Sequence, residues 1–268
     1  MPTTSEKISM ERLANRTLYS KLIGPNDALV PVDVTPTFMP GGGLPVNEGD
    51  KIVPPLNWLI ENWPNDHIYP TRDLHPYGHI SLASSYLLEQ ADGTLAPAPA
   101  FTEVRGNDYE FIGRLRTKPH ALFGIPHLET HLITVPGRTQ TLWPDHGLFD
   151  TIESQMHPGL NSKRFRMIFP KGMKPQCDSY SAFTDCLDNP TGFGWLLYKA
   201  GVRRIFFTGL ALDYCVGLTA LDATKNFEVV VIKDLTRSVT PASEKNMLAQ
   251  FSIDSKISII NLKDLLQI

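Results

Sequence analysis

Val202–Gly209 reads VRRIFFTG, the next stretch to Lys225 reads LALDYCVGLTALDATK, and Glu228–Ile232 reads EVVVI. The two outer runs are short, apolar and rich in β-branched and aromatic residues, which predicts strands. Between them, Val216, Leu218, Ala220, Leu221 and Ala223 fall on one helical face, so Asp213–Asn226 is expected to be a helix. Strand, helix, strand is the unit that joins two parallel strands through a crossover. Downstream, Pro241–Gln250 reads as a helix and Ile257–Ile260 as a last strand. Upstream, Thr191–Ala200 reads as a helix stopped by Gly201. Arg166–Phe169 (RMIF) reads as a strand entering Lys171-Gly172, and His67–Thr71 as another. Asp50–Trp63 is helical in spacing, with Pro54 and Pro55 confined to the first turn. Ala28–Val34 (ALVPVDV) reads as a buried strand, although Pro31 argues against full pairing. The fold class expected is α/β, three-layer, with a mostly parallel sheet and helices on both faces.

In such a sheet, ligand chemistry belongs at the carboxyl ends of the strands. Four candidate ends carry Asp33, Asp73, Lys171 and, in the loop after Gly209, Cys215. A single cysteine is most often an inert small hydrophobe. Cys215 differs because it follows an apolar strand and a glycine and opens a helix. A helix N-terminus favours the thiolate, and its free N–H groups suit a developing oxyanion. Asp33 alone would be a cap and Lys171 alone a solvated turn. Together with Cys215 they supply acid/base, cation and nucleophile from one sheet edge. Asp73 and His75, two apart on an extended chain, point the same way. With His146 from LWPDHG (142–147) they form a candidate metal set suited to Zn²⁺, Mn²⁺ or Fe²⁺. His120, His127, His131 and His157 lack such settings, and Cys177 and Cys186 read as bystanders. There is no G-x-S-x-G elbow, H-E-x-x-H or P-loop, and Gly41–Gly43 reads as a turn.

Composition narrows the classes. The chain has 268 residues, 42% hydrophobic and 20% charged, which excludes a disordered or membrane-embedded chain in bulk. A net charge of −3 demotes nucleic acid and acidic membranes as partners. Three cysteines make no disulfide framework. The N-terminus has no apolar signal core, and no run reaches the ~18 apolar residues of a span, so a reducing, cytoplasmic setting is expected. Residues 1–26 read as a loosely docked N-terminal arm with a weak amphipathic pattern (Ile8, Leu13, Leu18, Leu22), and 27–268 as one domain. That domain is interrupted at about 91–140 by a Pro- and Gly-rich insertion without clear period. There Tyr109, Phe111, Ile112, Leu115, Leu122, Phe123 and Ile125 suit a small subdomain or flap.

Five pieces, in order, carry a resemblance: VDVTPTFMPGGGLPV (32–46), TRDLHPYGHISLAS (71–84), LWPDHG (142–147), FPKGMKPQCDSYSAF (169–183) and GLALDYCVGLTALDATK (209–225). The chain resembles the nicotinamidase/pyrazinamidase branch of the isochorismatase-like cysteine hydrolases over most of residues 27–262, insertion excluded. The resemblance implies an Asp33, Lys171, Cys215 triad and a metal held by Asp73, His75 and His146. Zinc is the first choice of metal, with manganese or iron as alternatives. His79 matches a histidine that ligates in some members and stands behind the ligands in others. Phe38, Trp143 and Tyr180 match the aromatic pocket. Leu210-Ala211 matches a cis peptide, with the N–H groups of Ala211 and Cys215 as oxyanion hole. The implied activity is hydrolysis of nicotinamide to nicotinate and ammonia through a thioester, feeding NAD salvage. The implied partner is that small molecule, with homo-oligomerisation left open. A metal-independent amide hydrolase and a non-catalytic binding protein are the alternatives. Departures from the family pattern are Gly147-Leu148 after His146, Leu212 where Thr is common, and Asp234-Leu-Thr236-Arg237 in place of D-A-C-R.

Overall fold

A computed structural model describes residues 10–13, 16–18, 22–121, 128 and 139–267. In chain order its strands are β1 (Asp27–Val32), β2 (Thr71–Asp73), β3 (Tyr86–Glu89), β4 (Leu95–Pro97), β5 (Thr102–Arg105) and β6 (Leu115–Thr117). Then come β7 (Thr139–Leu142), β8 (Phe169–Lys171), β9 (Arg204–Leu210), β10 (Glu228–Arg237) and β11 (Ile257–Ile260). Helices are α1 (Met10–Leu13), α2 (Val53–Asn62), α3 (Tyr109–Arg114), α4 (Phe193–Lys199), α5 (Gly217–Ala223) and α6 (Pro241–Phe251). Six strands form one parallel sheet in the order β11-β10-β9-β1-β2-β8.

The alternation of side chains along the inner strands makes the layers. Leu29, Phe206, Val230 and Ile232 face one core, where α2 delivers Val53, Leu56, Leu59 and Ile60. Their neighbours Ala28, Val30, Ile205, Phe207, Val229 and Val231 face the other core. There α4 contributes Phe193 and Leu197, α5 Ala220 and Ala223, and α6 Met247 and Phe251. Strands buried on both faces read as continuous apolar runs, which is why VRRIFFTG and EVVVI were visible as strands. The three-layer α/β expectation holds, with small antiparallel sheets added.

Pro31 lies inside a central strand after all. The N–H groups of Leu29 and Asp33 bond to His67 O (2.8 Å) and Thr71 O (3.1 Å). By alternation the Pro31 nitrogen faces that same side, where β1 pairs β2 only at Val32↔Thr71. The β9 side is fully paired from Asp27↔Arg204 to Val32↔Gly209. The strand expected at 166–169 is found at Phe169–Lys171. It is an edge strand, and its ladder begins where β2 begins, at Thr71↔Phe169.

The insertion is not structureless. β3 pairs β4 and β6, and β5 pairs β7. A small core of Tyr86, Val104, Ile112, Leu115, Leu128 and Leu142 joins them. Phe111 packs against that core, while Tyr109 is exposed. Leu122, Phe123, Ile125, His127, His131 and Ile8 lie outside the described residues. In the arm, Leu13 and Leu18 are buried in the α2 core, and Leu18 bridges to Leu266. No described helix is long and apolar enough to cross a membrane.

Candidate active site

Four adjacent strands, β9-β1-β2-β8, end side by side. Register fixes their tips, with Val32 opposite both Gly209 and Thr71, and Asp73 opposite Lys171. Strand spacing of about 4.8 Å therefore sets the chemistry in a row. Asp33 follows β1 with φ +52, which turns its side chain out of the ladder. Thr71 Oγ1 donates to Asp33 Oδ1 at 2.8 Å. The other oxygen, Oδ2, is 2.9 Å from Lys171 Nζ yet has no aligned hydrogen-bond donor. Lys171 Nζ also donates to Cys215 Sγ (3.3 Å), to Ser179 O (3.3 Å) and to Asp73 Oδ1. Asp33, Lys171 and Cys215 are all buried.

Cys215 does not sit at a simple helix N-terminus. Leu210-Ala211 is cis, and Leu212–Val216 forms a wide turn in which Tyr214 and Val216 N–H both donate to Ala211 O at 3.1 Å. The expected lowering of the thiol pKa is reversed. Burial pushes the Cys215 thiol up, Lys171 opposes it, and the Asp33 and Asp73 carboxylates add to the rise. Burial also lifts Asp33, against Lys171 and with Asp73, to about 6. Burial disfavours the Lys171 ammonium, but Asp33, Asp73 and Cys215 outweigh it and hold it well above the usual lysine range. The resting pair is a thiol beside an unusually basic carboxylate.

Beside this triad, ligand atoms of Asp73, His75 and His146 lie within 4.8 Å of one another. His75 Nε2 is 3.9 Å from Asp73 Oδ1, and His146 Nε2 is 3.9 Å from Asp73 Oδ2. Each Nδ1 faces a carbonyl oxygen, Gly172 O at 2.9 Å and Pro144 O at 2.8 Å. Each Nδ1 therefore donates to its carbonyl, and both Nε2 atoms face Asp73. Burial and the neighbouring His146 hold the His75 pKa down to about 3, so its ring stays neutral. One carboxylate and two imidazoles, buried and mutually oriented, fit a divalent metal ion. His79 packs against His75 with ring centroids 4.5 Å apart and the planes tilted by 37°, outside that three-donor group. Its Nδ1 accepts Ser81 N–H at 3.3 Å, leaving Nε2 buried without an aligned partner.

Gly172 explains part of this order. It has φ +68, and a Cβ there would lie 2.4 Å from His75 Cε1. Gly147, one of the departures from the family pattern, has φ +55 and would bring a Cβ to 3.0 Å from Asp73 Cβ.

Cys215, Asp73, His75 and His146 open onto a cavity of about 190 Å³ with an aromatic wall. Trp143 donates from Nε1 to Tyr180 Oη at 3.0 Å, and its ring meets Tyr180 and Tyr214 edge-on. Phe38 lies 5.8 Å from His146, ring to ring. An apolar cavity of about 150 Å³ binds benzene, so this volume suits one six-membered ring with a small substituent.

A family model described as Isochorismatase domain matches residues 139–258. A nicotinamidase of Escherichia coli (strain K12) is 33% identical over 220 residues, covering 80% of this chain and 84% of its own length. The chain belongs to the isochorismatase family. Among solved structures similar to this isochorismatase-family chain is PnC1 from L. infantum in complex with nicotinate. It is 27% identical, with TM-score 0.65, covering 92% of this chain and 96% of that one. Another is the pyrazinamidase of Pyrococcus horikoshii in complex with zinc, 27% identical, with TM-score 0.59, covering 89% and 100%.

Every site residue picked out from the sequence lies in this region of the isochorismatase-family fold. Phe38, Trp143, Tyr180 and Ala211 line the cavity, while Cys177 and Cys186 do not. His120 is exposed, and His157 accepts Gly159 N–H away from the cavity. Gly147 and Leu148 are behind the wall, with Leu148 bridging His75. The sequence reading missed Val46, Phe101, Asp178, Tyr214 and Val239, all of which line the cavity. Val46, Asp178 and Tyr214 fall inside the quoted motif pieces, whereas Phe101 and Val239 had no local signal.

Proposed function

We propose that the protein is a nicotinamidase, hydrolysing nicotinamide to nicotinate and ammonia through a thioester on Cys215. The observation that carries this reading is Lys171 Nζ, 2.9 Å from Asp33 and 3.3 Å from the Sγ of Cys215, a thiol that opens onto an aromatic cavity beside an Asp/His/His group. The nicotinamidase relative and the nicotinate-bound neighbour support it.

Asp33 Oδ2, buried and 2.9 Å from the Lys171 ammonium, accepts the Cys215 proton. Sulfur adds to the carboxamide carbon, and the carbonyl electron pair moves onto oxygen. The N–H groups of Ala211 and Cys215 hold that oxyanion, a role worth about 3 kcal/mol per donor. As the C–N bond breaks, Asp33 returns its proton to nitrogen and ammonia leaves. Asp33 then takes a proton from water while the oxygen adds to the thioester. The C–S bond breaks, Asp33 returns the proton to the sulfur, and nicotinic acid departs, losing its carboxyl proton to solvent to become nicotinate. Asp73, His75 and His146 would hold a divalent ion, zinc first, which when bound supplies a Lewis-acid site for a pyridine nitrogen and so orients the amide. Phe38, Trp143 and Tyr180 pack on the ring, and His79 supports His75. The product nicotinate would enter NAD salvage in a reducing, cytoplasmic compartment, a setting that suits the thiol of Cys215.

Cys215→Ala should abolish ammonia release from nicotinamide while leaving the circular dichroism spectrum and unfolding midpoint close to wild type. Turnover that survives in this variant removes Cys215 from the mechanism.

A further inference from the structure

Among the described residues, the insertion reaches the cavity through one side chain. Phe101 immediately precedes β5, and Trp143 immediately follows β7. The β5–β7 ladder runs from Arg105↔Thr139 to Thr102↔Leu142, so these two aromatics emerge together from its end. Phe101 N–H donates to Leu142 O at 2.6 Å. Its ring stands edge-on to Trp143 at 6.0 Å and 87°. Phe101 has φ +65, a left-handed conformation with a steric cost for a bulky residue. It is also 60% exposed, whereas Trp143 is 6% exposed and Cys215 6%. A large apolar ring is thus held in an unfavourable backbone conformation, partly in solvent, along the cavity onto which the thiol opens. Core packing does not account for it, since the ring is not in the insertion's core.

We infer that Phe101 is a specificity-determining residue, the outer lip of the cavity. It sets an upper size limit on what reaches Cys215, admitting monocyclic aromatic amides and excluding fused or ring-substituted ones. The size limit at the mouth stands on geometry alone; the class of amide rests on the nicotinamidase reading.

Phe101→Gly removes the ring and suits the positive φ. Phe101→Asn also removes the ring and tolerates that conformation. Peptide-resolved mass spectrometry would measure Cys215 alkylation by small iodoacetamide and by bulky N-(1-pyrenyl)maleimide. Both variants should raise the bulky-to-small rate ratio about tenfold over wild type. Steady-state assays would compare nicotinamide with quinoline-3-carboxamide. Both variants should shift the kcat/KM ratio toward the bicyclic amide by a similar factor and raise KM for nicotinamide, which loses an aromatic contact. Alkylation ratios within twofold of wild type in both variants overturn the inference, whatever the substrate. A shifted alkylation ratio in a protein that never hydrolyses nicotinamide supports the lip and rejects the nicotinamidase reading instead.

Discussion

Asp33→Asn separates two jobs that the geometry gives to one carboxylate. The substitution keeps the side-chain shape and the acceptor for Thr71 Oγ1, now at 2.8 Å, but removes the Oδ2 lone pair that faces Lys171 at 2.9 Å. General acid–base catalysis contributes about 10²–10⁴ in rate, and Asp33 serves in both half-reactions. We expect kcat/KM for nicotinamide to fall about 10³-fold, or about 4 kcal/mol at 1.36 kcal/mol per factor of ten. The thiol should respond in the opposite sense. Asp33 is one of the groups that raise the Cys215 pKa, so its loss increases the thiolate fraction. Alkylation of Cys215 by iodoacetamide at pH 8 should therefore be as fast as in wild type or faster. Lys171 keeps Asp73 as a partner, so destabilisation should stay below the ~3–5 kcal/mol of an orphaned buried charge. The pH profile gives a third readout. The base must be unprotonated, and its pKa is raised from 3.8 to about 6. Wild-type kcat/KM should thus hold above pH 6 and fall with unit slope below it, and the variant should lack that limb. Activity within tenfold of wild type would refute the proton-carrier role. A parallel fall in turnover and alkylation would reduce Asp33 to a generator of thiolate.

Other substitutions probe the rest of the site. Lys171→Met leaves Asp33 and Asp73 buried without their shared cation, and should cost about 3–5 kcal/mol in urea unfolding; a loss under 1 kcal/mol would show that the carboxylates find other partners. Gly172→Ala forces a Cβ to 2.4 Å from His75 Cε1 beside the carbonyl that orients that ring. Zinc affinity, read by chelator competition, should drop about 10–100-fold, and an unchanged affinity would count against His75 as a ligand. His146→Ala should lower bound metal and raise KM for nicotinamide more than tenfold, with Cys215 alkylation within twofold of wild type; a KM that stays put would sink the orienting role of the metal.

Much of the fold was legible because the inner strands are buried on both faces and their apolar runs are continuous. β9 and β10 were found from composition alone, and β11 to the residue. The site residues were legible because strand ends in a parallel sheet converge, and the motif around Cys215 was in family order. What failed has common physical causes. The turn at Leu212–Val216 opens as a wide loop of backbone bonds, which helical periodicity does not distinguish from an α-helix. The thiol was expected to be acidic from its local setting, yet its state is set by burial and by carboxylates from β1 and β2, far away in sequence. β8 was misplaced by three residues because an edge ladder is fixed by its partner, not by its own apolar run. The insertion's strands are three or four residues long with weak alternation, below what periodicity resolves. Phe101 and Val239 reach the cavity through tertiary pairing, so no spacing along the chain marks them.

The electrostatics of the row explain why this cysteine needs a base at all. Lys171 stands on the edge strand, and its side chain must cross the tip of β2 to reach β1. It therefore meets Asp73 on the way to Asp33, and one ammonium serves two buried carboxylates. A thiolate formed by losing its proton to solvent would add another negative charge to a site already short of positive charge. A proton moved from Cys215 to Asp33 instead leaves the net charge unchanged and only shifts its position, toward the sulfur that Lys171 touches at 3.3 Å. Burial lifts the Asp33 pKa first and the neighbouring Asp73 carboxylate adds to the rise, against Lys171, so this carboxylate binds a proton more readily than a free one. Asp73 belongs to both halves of this arrangement, pairing with Lys171 and facing His75 and His146. That shared position makes the Asp/His/His group part of the charge balance around the nucleophile as well as a fitted metal site.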